Sequence, residues 1–186
     1  MLPLLLQVGF HQPSTISGMM LMPAAIFAIV AKYWIVPLVK KFGYKTILIS
    51  NTLILAVVIS LFALPDKTTP LLLLIPILAI FGSLNSIQMT SMNTISLADL
   101  DSHTASGGNG LLTITQQLST SLGVSVSAVI LREFQNMDNL TYGNTELAFK
   151  YTFISMGVLT AVSSLIFILL RKDDGDKMSG REKQKV

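Results

Sequence analysis

Cysteine is absent from the 186 residues, which excludes disulfides, thiolate nucleophiles and cysteine-held metals. Charge is scarce as well. Asp, Glu, Lys and Arg make up 12% of the chain, about half of the roughly 25% usual in a soluble domain. Acidic residues are missing from every long apolar run, so no carboxylate is on offer at membrane depth. The two histidines, His11 and His103, fall in different loops on opposite sides of the expected membrane and cannot share a metal. Asp101-Ser102-His103 has the letters of a hydrolytic triad, but consecutive loop residues do not give triad geometry. No glycine-rich phosphate loop occurs, so an ATP-driven pump is unsupported. These absences argue against an enzyme, and no cofactor or metal is expected.

What is present is apolar. Hydrophobic residues make up 51% of the chain, and the net charge of +3 comes from lysines and arginines placed beside apolar runs. No basic stripe interleaved with aromatics appears, so nucleic acid is not an expected partner. Membrane lipid is. Five runs are long enough to cross a bilayer, which takes about 20 helical residues. They are Gly18–Val39, Thr46–Leu64, Leu71–Thr94, Leu111–Leu131 and Tyr151–Leu170. Ahead of them Leu2–Phe10 is too short to span, and it lacks the basic flank and cleavage site of a signal peptide. It reads as the last turns of a helix whose start is missing, or else as an interfacial segment. The expected fold is an all-α integral membrane bundle over residues 1–170, with a polar, disordered tail over 171–186.

Boundaries carry stop signals. Lys40, Lys41 and Gly43 end the first run, as a basic last turn followed by glycine does. Pro65–Pro70 is a turn, and Asp99–His103 breaks the third run from the fourth. Ala105–Gly110 leads into the fourth, and the polar stretch Gln135–Glu146 precedes the fifth. Alternating spans put Lys40, Lys41, Lys45 and the tail on one side, with nine basic residues. Lys67, Arg132 and Lys150 make three on the other. The bias places the C-terminus in the cytoplasm.

Several residues stand out as candidates for a substrate cavity. Lys32 is the one charged side chain well inside a run. Its ammonium either snorkels to an interface or faces a watery cavity or an acidic partner. In the third run Asn85 and Gln88 lie three apart, extended by Met89 and Met92, either as interhelical hydrogen bonds or as a cavity wall. Gln116 and Gln117 lie one turn before Ser119, Gly123 and Ser127, a small-residue seam for close helix packing. Met19, Met20 and Met22 suit either irregular packing or a surface for varied apolar ligands.

Two stretches resemble a known family. Pro37-Leu38-Val39-Lys40-Lys41-Phe42-Gly43-Tyr44-Lys45 is similar to the second-half copy of the interhelical signature loop of the major facilitator superfamily. It departs from that signature where Pro37 stands near the first glycine and Lys40 near the acid. Ser91–Thr94, Ala105–Asn109 and Gln116–Val124 resemble the fourteen-span drug:proton antiporter branch. The resemblance runs from Met1 to about Leu170. It implies the C-terminal portion of a transporter that exports drugs or other amphiphilic small molecules against protons, in the plasma (inner) membrane. It also implies that the N-terminal bundle, and the coupling carboxylate, lie on a missing half, a partner chain or a second copy. The other reading is a non-transporting membrane scaffold or assembly subunit, which needs no polar cavity.

Overall fold

The computed structural model describes residues 2–66, 69–98 and 105–170. Lys67 in the expected Pro65–Pro70 turn, the Asp99–His103 break and the 171–186 tail lie outside the described residues. Among the described residues every regular element is helical. Five helices are long and apolar enough to cross a membrane. They are α1 (Ser14–Phe42), α2 (Tyr44–Leu61), α3 (Leu74–Leu97), α4 (Ala105–Asn136) and α5 (Thr145–Ile168). The chain is therefore an all-α, multi-pass membrane protein.

Glycine marks the turn between α1 and α2. Gly43 sits at φ 79°, a left-handed conformation that costs glycine little, and its N–H reaches back to the Val39 carbonyl. At the far end Asn144 caps α5, its side chain accepting from the Glu146 N–H at 2.9 Å. α4 starts earlier than its apolar run suggests. The Ala105–Gly110 lead-in is already helical, despite three glycines. A helical glycine costs about 1 kcal/mol. An unpaired backbone group in a membrane costs several, so the helix wins.

Two close crossings organise the packing. A Cβ at Gly82 of α3 would lie 2.1 Å from the Ala24 carbonyl oxygen of α1, so only glycine permits that approach. Gly157 of α5 is pressed in the same way on α2, against the Ala56 carbonyl and Ser60. α1 thus packs mainly on α3, and α2 mainly on α5, with α2 and α3 in looser contact. α4 lies at the edge, against α5 and more lightly against α3.

Apolar clusters close the bundle at both ends. At one end Phe62, Leu74, Leu78, Phe149 and Phe153 are buried with Leu5 and Leu6 of the opening segment. That segment, Leu2–Leu4 followed by π-helical Leu5–Gly9, packs into the bundle. At this end Lys150 pairs with Asp66 and, at 3.7 Å, with Glu146. At the other end Ile35, Val39, Tyr44 and Ile47 pack with Ile87 and Ile95. Many large apolar side chains remain exposed on the outer helix faces, among them Trp34, Val57, Leu122 and Ile166, as a lipid-facing surface requires.

Candidate functional site

Between the two apolar ends runs a layer of polar side chains, and it starts in α2. Asn51 and Thr52 are buried midway along that helix. Asn51 donates from Nδ2 to Gln88 Oε1 at 2.8 Å and to the Leu84 carbonyl at 2.9 Å. Gln88 in turn donates from Nε2 to Thr52 Oγ1 at 2.9 Å, and Thr52 donates to the Leu48 carbonyl at 2.7 Å. Four groups of two helices are thereby satisfied in one chain of bonds. Such a network is worth about 0.6 kcal/mol per interhelical bond in a bilayer, whereas an unpaired buried amide costs about 1–3.

The layer continues into α1 and α4. Ser86 donates to the Ala28 carbonyl of α1 at 2.8 Å, and Ser83 to Phe27 at 3.4 Å. Gln116 of α4 donates from Nε2 to Asn93 Oδ1 at 2.5 Å. These bonds set the relative heights of the helices. α1 and α3 run parallel, so Lys32, one turn past Ala28, stands level with Thr90, one turn past Ser86. The buried Ser91 lies beside that level, and its hydroxyl lacks a partner among the described residues.

The expected cavity residues divide into two groups. Gln88 and Gln116 point into the bundle and are bonded to neighbouring helices. Lys32, Asn85 and Gln117 are exposed on outer faces. Asn85 and Gln88 do not share an environment: three residues are about 60° short of a full turn, and the edge of the α2–α3 contact falls between them. Met89 and Met92 are exposed on the Asn85 side. Of the seam on α4, Ser127 is buried and donates to the Val124 carbonyl, while Ser119 is exposed and a Cβ at Gly123 would meet nothing within 4 Å.

In the loop between α1 and α2, Lys40 and Lys41 are exposed, with the Lys41 ammonium 5.3 Å from the Phe42 ring centre. Lys45 reaches across the bundle. Its Nζ donates to the Ile168 and Leu170 carbonyls, both at 2.6 Å, and so closes the C-terminal end of α5. Asn51, Thr52 and the distant role of Lys45 had not stood out in the sequence. For Asn51 a signal existed, since an amide in the middle of an apolar run needs a partner.

Comparison with known proteins agrees with this architecture. The sequence pattern of the Major Facilitator Superfamily matches residues 1–186. The chain belongs to that superfamily. Curated relatives include proteins provisionally designated multidrug resistance protein MdtD. That of Pectobacterium atrosepticum is 40% identical over 168 residues, covering 90% of this chain and 36% of the relative. That of Yersinia enterocolitica is 39% identical over 180 residues, covering 94% and 38%. That of Escherichia coli O6:H1 is 35% identical over 178 residues, covering 93% and 37%. The chain spans little more than a third of the length of the curated relatives it matches. No solved structure matches it.

Proposed function

We propose that this chain is the C-terminal segment of a proton-coupled exporter of drugs or other amphiphilic small molecules. The observation that carries this reading is membership of a transporter superfamily, together with relatives whose names give multidrug resistance. The exposed polar side chains of Lys32, Asn85 and Gln117 support it, because a transporter needs polar groups at mid-membrane where its halves meet. In this reading Lys32, Asn85 and Gln117 face the remainder of the protein and the substrate path. Gln88 and Gln116 back that wall from inside the bundle. Ser119 and Gly123 receive a helix of the other half, while Ser127 packs within this bundle. The coupling carboxylate belongs to that half, since no acidic residue lies in any apolar run here. The protein acts as a transporter and not as an enzyme, and its partners are lipid, protons, the exported molecule and the other half or a second copy.

We place it in the plasma (inner) membrane, with residues 1–170 forming the bundle and the tail from 171 in the cytoplasm, on the nine-to-three basic asymmetry. The chain has no cysteine, so single cysteines can be introduced without removing any. Cysteines at Lys67 and Lys177 are expected to label from opposite sides of intact cells, and labelling of both from outside overturns the orientation. Export is tested by reconstitution. The chain alone is expected to give no dye efflux under a pH gradient. Joined to the part of an MdtD relative that it does not match, it is expected to restore efflux. A fused protein that inserts and stays inert supports a scaffold instead, and efflux by the chain alone removes the need for another half.

A further inference from the structure

Two depressions run end to end along the outer face of α2. The first, about 510 Å³, is walled by Phe42, Ile49 and Leu53 and carries Lys45, Thr46 and Ser50 at its polar end. The second, also about 510 Å³, begins at the same Leu53 and continues to Leu64, facing Gly157 and Ala161 of α5. α2 has 18 residues, so the furrow follows about 27 Å of helix, close to the roughly 30 Å of bilayer hydrocarbon. It is apolar along most of its length: Lys45, Thr46 and Ser50 gather at one end, and Ser60 in the second depression donates back to the Ala56 carbonyl.

Lys45 brings a positive charge to that end. Lys45 is fixed there by its bonds to the Ile168 and Leu170 carbonyls, which occupy two of the three ammonium protons and leave one for an outside acceptor. The Lys41 ammonium stands over the ring of Phe42, which forms one wall. Among the described residues no carboxylate lines either depression. The carbonyl end of α5 contributes about half a negative charge, which the full charge of the Lys45 ammonium outweighs.

We propose that this furrow binds an anionic phospholipid, its phosphate on Lys45 and an acyl chain along Ile49 and Leu53. Three features select this occupant. The furrow opens on the lipid-facing surface, so lipid is its standing neighbour. It is long, following the helix from Phe42 to Leu64, as an extended acyl chain can. Its cationic end lies beside the turn between two spans, where a headgroup sits. The lipid then ties α2 to the end of α5 from outside, while Lys45 does so from within. This site is independent of what the complete transporter exports.

Fluorescence quenching by brominated lipids tests it in bilayers. The single tryptophan, Trp34, is 64% exposed on α1 and reports an ordinary lipid-facing site. The variant Ile49→Trp with Trp34→Phe reports the furrow. Brominated phosphatidylglycerol is expected to be preferred over phosphatidylcholine at position 49 by about fivefold, the effect of one lysine at an anionic surface. Trp34 is expected to discriminate little. Lys45→Gln is expected to abolish the preference at position 49 and Lys45→Arg to keep it. Should Lys45→Gln loosen α5, Thr46→Glu places a carboxylate at the rim without touching the Lys45 bonds, and it is expected to abolish the preference too. Equal selectivity at both positions, selectivity that survives Thr46→Glu, or no lipid quenching at position 49 because protein covers the furrow overturns the proposal.

Discussion

α2 and α4 show two ways in which a helix can be at ease in a membrane. Of the most apolar stretch of α2, 44% is buried inside the bundle, and its polar side chains Asn51 and Thr52 find partners on α3. Only 11% of the corresponding stretch of α4 is buried, although α4 is rich in Ser, Thr and Gln. Its hydroxyls fold back on their own helix. Thr113, Thr115, Thr120 and Ser125 each donate to the carbonyl one turn earlier, at 2.8–2.9 Å. Among the described residues one side-chain bond, Gln116 to Asn93, joins α4 to α3. A polar residue in a span therefore does not by itself reveal a neighbour. An amide, with four hydrogen-bonding positions, needs one, whereas a hydroxyl can be satisfied locally.

Substitutions at the two helices' glycine contacts and polar bonds probe the contrast, and the largest effect is steric. Gly157→Leu drives a side chain into the Ala56 carbonyl and Ser60, and Gly123→Leu on α4 enters open space. Overpacking of this kind costs about 1–3 kcal/mol or more. Thermal unfolding in detergent is expected to show marked destabilisation for Gly157→Leu and almost none for Gly123→Leu. Equal destabilisation would mean that α4 is packed as tightly as α2.

Next is the network. Asn51→Leu leaves the Gln88 carbonyl oxygen and the Leu84 carbonyl without that donor, with an expected loss of about 1 kcal/mol. Adding Gln88→Leu is expected to recover part of it, because the amide left unpaired is then gone. A double variant as unstable as the sum of the singles contradicts the pairing. On α4, Gln116→Leu removes a single bond and is expected to cost about 0.6 kcal/mol in the same assay.

The smallest effect on stability is expected at Lys32, which is exposed and has no partner among the described residues. Lys32→Leu is expected to leave unfolding unchanged or slightly improved. In the joined, transporting protein the same change is expected to lower efflux. Efflux at the unsubstituted level would return Lys32 to a side chain that reaches for the interface.

The bundle was largely legible in the sequence because its signals are local. Apolar runs of membrane length, the lysines and glycine at Gly43, and the family stretches around Ser91 and Gln116 can all be read without knowing what touches what. The helix starts at Ala105 and Thr145 were harder, because glycines and polar residues there are overruled by the need to pair backbone groups. Least legible were the long-range links. Nothing near Lys45 announces that it will meet Ile168, 123 residues on. Asn85 and Gln88 appeared equivalent because a face of a helix is wider than the edge of one contact.

The two glycine crossings also decide where the bundle is stiff. At Gly82 and at Gly157 backbone meets backbone, so α1 with α3, and α2 with α5, behave as two doubled beams that resist bending. The Asn51–Gln88 seam joining the beams is made of side-chain bonds, which stretch and exchange partners more readily than interlocked backbone shifts. A load applied to this bundle will be relieved by one beam sliding on the other along that seam, and the helices within each beam will travel together.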